Sequence, residues 1–196
     1  MNETSLSLLE RACGDARDEA WQELATIYTP LLRSWLFRLG VQEADTDDLI
    51  QDVLIVVSRE LPRFEHTGRK GAFRSWLRTI LVHRVRDFWR ARKYRPAATG
   101  GSSWAEQLEQ LADESSSASR EWNLEHDRHV MSRLLERVRP RFEPKTWDAF
   151  HRQMFGGQRP DVVAADLGMS LSSVYVARNR VLKALRREAA GLIAEV

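Results

Sequence analysis

Pro160-Asp-Val-Val-Ala-Ala-Asp-Leu-Gly168, then Met169-Ser170, then Leu171-Ser-Ser-Val-Tyr-Val-Ala-Arg-Asn-Arg-Val-Leu-Lys183: this run predicts a short helix, a tight turn and a longer basic helix. Gly168 suits the left-handed backbone that closes a helix, where a side chain is strained. Ser170 stands where its hydroxyl caps the helix that follows. Ala164 is small enough for two helices to cross closely, and the sum is helix-turn-helix grammar. On the second helix Val174, Ala177, Val181 and Leu185 recur at three- and four-residue steps and face a core. Ser172, Ser173, Tyr175, Val176, Asn179, Arg180 and Lys183 then share the outer face. Serines at a helix N-terminus suit a phosphate. Tyr175, Val176, Asn179 and Arg180 suit a major groove, where Asn reads adenine and Arg guanine. An amphipathic hairpin with a solvated polar face is the plainer alternative.

The same periodicity extends through the rest of the chain. Around the opening run, helices are expected over about 121–138, 144–155, 160–167 and 171–189. Nearer the N-terminus, Trp21, Leu24, Tyr28, Leu32, Trp35 and Leu39 make one helix face, which Gly40 ends. Ile50, Val53, Leu54, Val57 and Leu61 make a second, stopped by Pro62. Asp45, Asp47 and Asp48 lie at its N-terminus, where carboxylates suit the helix dipole. A third helix is predicted from about Gly71 to Arg95, with Phe73, Leu77, Leu81, Val85 and Phe88 inward. No stretch alternates with a period of two, so the fold class is all-α, as two small helical domains joined by a flexible linker. The domains are 1–95 and 122–196. Residues 96–121 begin Pro96-Ala-Ala-Thr-Gly-Gly-Ser-Ser103 and add Ser115, Ser116, Ser117 and Ser119, which reads as a mostly mobile acidic tether. A short docked helix through Trp104, Leu108 and Leu111 is the lesser alternative.

The formal net charge of +2, from 30 basic and 28 acidic residues, is an average over opposites. Residues 1–60 carry −7, 61–98 carry +9, 99–127 carry −6 and 128–196 carry +6. Such asymmetry bears on partners rather than on fold. The one cysteine, Cys13, cannot close an internal disulfide, which fits a reducing cytoplasm. No apolar run approaches the ~20 residues of a membrane-spanning helix, and the N-terminus lacks the basic start and apolar stretch of a signal peptide. Membrane, secreted and disulfide-scaffold classes are therefore excluded, and no membrane partner is expected.

The +9 block supplies a second candidate surface. Arg74, Arg78, Arg86, Arg90 and Lys93 form a stripe along its helix, with Phe73, Trp76, Phe88, Trp89 and Tyr94 among them. Basic residues interleaved with aromatics suit single-stranded nucleic acid, because every base offers a face to stack on. Phe73 and Phe88 are expected only to pack, whereas Trp76 and Trp89 are open to either role. His83 precedes Asp87 by one turn, as a surface hydrogen bond or as part of a base-reading pocket. The acidic first block presents Asp45, Asp47, Asp48, Gln51 and Asp52 beside Ile50, Val53 and Leu54. That is either a protein-docking face or plain helix capping.

Three stretches, taken in order, resemble a bacterial RNA polymerase sigma factor of the short, two-domain extracytoplasmic-function (ECF) group. They are Asp48-Leu-Ile-Gln-Asp-Val53; Phe73-Arg-Ser-Trp-Leu-Arg-Thr-Ile80 with His83-Arg-Val-Arg-Asp87; and Val163-Ala-Ala-Asp-Leu-Gly-Met-Ser170 with Ser173-Val-Tyr175 and Arg180-Val-Leu182. The resemblance implies that Asp48, Leu49, Gln51, Asp52 and Val53 bind core RNA polymerase, on a coiled coil of its largest subunit. The second domain would sit near the flap of the next-largest subunit. It further implies that Arg74, Trp76, Arg78, His83, Arg86, Asp87 and Arg90 melt and read the −10 promoter element, helped by the loop from about Phe64 to Ala72. The outer face of the last helix would read the −35 element. Promoter DNA and core polymerase are thus the expected partners, with an anti-sigma factor as a further one. His83 stands where many relatives have Asn, and Ser172-Ser173 where many have Gly-Thr, departures that bear on base preference. About 25 linker residues reach roughly 80 Å extended but average only about 28 Å as a coil. Two turns of DNA span about 70 Å, so reading both elements requires that something hold the tether extended.

A stand-alone helix-turn-helix regulator is the alternative, but it leaves the aromatic–basic helix and the Asp48–Val53 face without work. Catalysis is not expected. The five histidines, His66, His83, His126, His129 and His151, show no metal-ligand spacing, and no Gly-rich phosphate loop opens a helix. His126 and His129 could make half a metal site, but a solvated helix face is the expected reading. Neither cofactor nor metal is predicted.

Overall fold

The computed structural model describes residues 7–14, 17–64, 71–91 and 104–193. Among them are nine α-helices, two short 3₁₀ segments and no strand. Ser7 opens α1 (Leu8–Cys13) with a reciprocal capping box: Ser7 Oγ accepts from the Glu10 N–H, and Glu10 accepts from the Ser7 N–H at 2.7 Å. Next come α2 (Arg17–Arg38), α3 (Glu43–Glu60) and α4 (Ala72–Ala91). Gly40 follows α2 with φ +78°, as the sequence predicts.

The segment expected to be a mobile tether behaves otherwise where it is described. Trp104–Ala112 forms α5, and α6 (Ser117–Val138) begins inside the expected linker. Leu108 and Leu111 are buried, 1% and 0% exposed. Two serines join α5 to α6 as a hairpin. Ser116 caps α6 by accepting from the Ser119 N–H, while Ser119 Oγ donates to the Leu111 carbonyl at 2.9 Å. A serine-rich run that reads as linker composition is here a pair of helix caps, and two leucines one turn apart anchor the hairpin. Burying each such side chain stabilises by about 1.5–3 kcal/mol.

Helix α6 connects the two halves of the molecule. Trp122, His126, Val130, Leu134 and Val138 are all fully buried. Four residues exceed one helical turn by about 40°, so this line winds by roughly 160° around the helix over its length. It meets α2, α4 and α5, and it also packs on α9 (Leu171–Ala189). The main hydrophobic core accordingly runs from Leu8 in α1 to Ile193 beyond α9 without a break at the linker. A buried line that winds in this way leaves no fixed apolar stripe in the sequence.

The remaining helices, α7 (Pro144–Met154) and α8 (Pro160–Leu167), complete the C-terminal unit. Ala149, Val163, Ala164, Val174 and Ala177 form a second, smaller core there. Phe150 of α7 packs into the main core while its neighbour Ala149 packs into the small one. The helices predicted over 160–167 and 171–189 match α8 and α9 at both ends. No helix of the described residues is long and apolar enough to cross a membrane.

Candidate nucleic-acid interface

Turn chemistry sets the angle between α8 and α9. Gly168 adopts φ +56°, ψ +46°. The Met169 N–H then reaches the Ala164 carbonyl at 2.9 Å and the Gly168 N–H the Ala165 carbonyl at 3.3 Å, a Schellman closure. Ser170 Oγ accepts from the Ser173 N–H at 3.1 Å and starts α9. Val174, Ala177, Val181 and Leu185 are buried as predicted. Ser172, Ser173, Tyr175, Val176, Asn179, Arg180 and Lys183 are all exposed along one side. The hydroxyls of Ser172 and Ser173 both lie on Ser170 Oγ, at 2.9 and 2.7 Å. Their positions are thereby fixed at the helix N-terminus. Leu171 and Val162, each nearly half exposed, flank this face and carry no polar signal by which sequence reasoning would find them.

The α4 residues divide into two sets. At 100° per residue, positions 74, 78, 86 and 90 fan over roughly 160° of the helix rather than forming the single stripe that the four-residue steps imply. His83, Asp87 and Arg90 are exposed, Arg74, Trp76 and Arg86 are half-buried, and Arg78 is buried. Asp87 pairs with Arg84 at 3.0 Å, one turn earlier on the same helix. Arg86 donates to Glu109 of α5 at 2.7 Å, Arg78 pairs with Glu114 at 3.5 Å, and Arg74 pairs with Asp127 of α6. Burial pulls the Arg78 guanidinium below its ordinary value, against the opposing charge of Glu114. Phe73 is fully buried as expected, Phe88 only half. Trp89 is buried, its ring 5.4 Å from that of Trp104, and Trp76 leans on Phe64 and Phe73 at 4.8 and 5.5 Å. Lys93, Tyr94 and most of the Phe64–Ala72 loop lie outside the described residues.

Beneath Arg74 a buried polar chain joins three helices. Tyr28 Oη lies 3.1 Å from His126 Nε2, and His126 Nδ1 lies 3.0 Å from Asp127, which also receives Arg74. A carboxylate only accepts, so Nδ1 carries the proton and Nε2 accepts from the tyrosine. Burial holds the His126 imidazole below its ordinary value, against the pull of Asp127. Burial also raises Asp127, but the bonds from His126 and Arg74 outweigh it and hold the carboxyl low. His126 is therefore a core residue, not the solvated one expected from sequence, and His129 is turned onto the Ile27 carbonyl at 2.6 Å. Charged neighbours at i+1 and i+2 disguise its inward direction.

On α3, Asp48, Gln51 and Asp52 are exposed, whereas Leu49 and Val53 are buried at 3% and 0%. A partner can touch the first three but not the last two, whose side chains hold α3 on the core. Gln51, together with Asp47, lines a groove formed with Trp21, Ile50, Leu54, Ile55 and Arg59. Ile55 is half exposed there, an apolar anchor that the acidic motif alone does not reveal.

Residues 24–95 match the sigma-70 region 2 family, which covers α3 and α4. Over 186 residues, 92% of each chain, the sequence is 30% identical to the ECF RNA polymerase sigma factor ShbA of Streptomyces griseus. The chain belongs to the ECF sigma factors. A second relative, the RNA polymerase sigma-E factor of Streptomyces avermitilis, is 30% identical over 158 residues, 81% of this chain and 78% of its own. In this sigma factor the region 2 match ends before α5, and the helix-turn-helix lies beyond it. Sigma factors are initiation factors for RNA polymerase and not enzymes.

Proposed function

We propose that this sigma factor docks on core RNA polymerase through the α2–α3 face, reads and opens the −10 element with α4, and reads the −35 element with α9. Asp48, Gln51 and Asp52 with the Ile55-lined groove are the docking surface for the largest-subunit coiled coil. The C-terminal unit lies near the flap of the second-largest subunit. At the −35 element Asn179 and Arg180 read base edges, Tyr175 and Val176 give apolar contact, and Ser172, Ser173 and Lys183 meet phosphates. Arg74, Arg78, Arg86 and Arg90 follow the backbone of the opened −10 strand, with Trp76 and His83 beside the bases. No step is chemical catalysis by this chain; RNA synthesis belongs to the polymerase.

The observation that carries this reading is the α9 surface. Seven polar, aromatic and apolar side chains stay in water on one side of a capped helix, while buried residues including Val174, Ala177, Val181 and Leu185 lock the other side to α8 and the core. Run-off transcription with core polymerase tests it. Start sites should share two spaced elements, and lysine at both Asp48 and Asp52 should weaken polymerase binding without loss of helix content. Undiminished binding would mean that these carboxylates serve only the helix. Tight promoter binding by the chain alone, with no co-elution with core polymerase, would favour the stand-alone regulator instead.

A further inference from the structure

Three arginines of α4 are already occupied by acids of the α5–α6 hairpin. Arg86 meets Glu109, Arg78 meets Glu114 and Arg74 meets Asp127, so each has a carboxylate where a phosphate would otherwise stand. The cover is built rather than incidental. Trp104 lies against Trp89 with the rings 5.4 Å apart and tilted by 33°, Leu108 and Leu111 are buried, and Trp122 Nε1 donates to the Arg74 carbonyl at 3.1 Å. Because the serine caps join α5 to α6, the three acids are carried on one hairpin. The α9 face, by contrast, is open along its whole length.

We infer that the α5–α6 hairpin is an intramolecular mimic of the −10 strand: the free sigma factor displays its −35 reader and withholds its −10 reader until the hairpin is displaced. This rests on the assignment of α4 to the opened strand. Carboxylates paired with arginines have the charge of a nucleic-acid backbone, and Trp104 on Trp89 occupies an aromatic platform as a base would. Thr79, His83, Asp87 and Arg90 remain exposed on the other side of α4, so a strand has a foothold from which to compete with the cover.

The test uses the full chain, without polymerase, and a labelled A/T-rich single strand of about 20 nucleotides, long enough to span such a groove. Glu109→Gln with Glu114→Gln removes two cover charges whose side chains are 70% and 66% exposed, so folding is spared. Glu136→Gln with Glu143→Gln, both exposed, is the charge-matched control away from α4. While the covered form predominates, its lost stability appears directly as apparent affinity. The cover variant should bind about five- to ten-fold tighter, the range for two partly exposed ion pairs, and the control within about two-fold of the parent. Hydrogen exchange supplies the second reading: amides of 104–112 should be protected in the free chain and lose protection when the oligonucleotide binds. Equal affinity of cover variant and control, or α5 protection retained in the complex, would overturn the inference. Arg86→Ala in the polymerase complex separates the two levels. If it slows promoter opening while the cover variant gains nothing, only the cover is wrong; if opening is unaffected, the α4 assignment fails and the cover with it.

Discussion

Glu188→Ala should destabilise the protein by about 2–3 kcal/mol. Glu188 lies near the end of α9 and is 1% exposed. Its carboxylate accepts from Arg141 at 2.7 Å and from Arg11 at 3.3 Å, with Arg137 Nε at 3.8 Å. Arg137 and Arg11 also meet Glu23 of α2. One buried acid therefore ties the N-terminal helix, the end of α6 and the last helix together. Removing one member of a fully buried pair costs about 3–5 kcal/mol because the partner is left charged and dry. Here the arginine side chains are 20–37% exposed, so they rehydrate in part, and the expected loss falls below that range. For a chain of this size about 2–4 °C is lost per kcal/mol, which predicts a fall in Tm of roughly 5–10 °C. Urea unfolding of Glu188→Ala, Arg141→Ala and the double variant closes a cycle, whose coupling should be about 1–2 kcal/mol. A loss below about 0.5 kcal/mol for Glu188→Ala, or strict additivity, would show that α9 does not rest against α1 and α6 in solution.

Leu111→Ala should cost about 2–4 kcal/mol and raise proteolytic cleavage within 104–116, since the leucine is fully buried; an unchanged protein would mean that α5 is undocked. Asn179→Ala or Arg180→Ala should each cost about 1–3 kcal/mol at a good −35 element and alter base preference there. Unaltered transcription from a −35-dependent promoter with both changed would misplace the recognition face. The pH dependence follows from His126, whose folded pKa is depressed chiefly by burial. A depressed histidine binds protons more readily unfolded, so its contribution is complete above about pH 6.5 and is lost as pH falls toward the folded value. Asp127, also depressed, acts in the same direction but only below about pH 4. Parent protein should therefore lose stability between pH 7.5 and 5, and His126→Gln should lose less over the same interval; parallel curves would refute the linkage.

The parts legible in the sequence are those whose signal is local. Gly168, Ser170 and the three- and four-residue steps of Val174, Ala177, Val181 and Leu185 specify the α8–α9 turn by themselves, and each behaves as read. What escaped is set by partners distant in sequence. Arg78 looks like any member of a basic helix, but its burial depends on an acid 36 positions later. His126 sits between polar residues and turns inward because Tyr28 and Asp127 satisfy both its nitrogens. Leu49 and Val53 belong to a motif whose exposed members are Asp48, Gln51 and Asp52; the motif mixes residues a partner can reach with residues that hold their helix on the core. Composition misleads most at the serines before and within α6, which cap helices rather than loosen a linker.

Segment charges acquire a spatial meaning once the chain folds. The +9 segment meets the −6 segment through Arg74–Asp127, Arg78–Glu114 and Arg86–Glu109. The −7 segment meets the +6 segment through Glu23–Arg137, while Arg11 and Glu188 cross in the opposite sense. The three α4 pairs, whose acids are 33–70% exposed, contribute little each and weaken with salt, so they are not what holds the hairpin closed; Leu108, Leu111, Trp122 and Leu134, all within 1% of complete burial, do that. The ion pairs instead decide what can compete. An apolar seam with arginines left bare would be closed yet still attract any polyanion, whereas the same seam with Arg74, Arg78 and Arg86 matched attracts one less. The net charge of +2 reflects nearly equal numbers of acids and bases, and three of the bases, Arg74, Arg78 and Arg86, are matched by acids of one hairpin, so a partner that opens that hairpin unmasks positive charge without adding any.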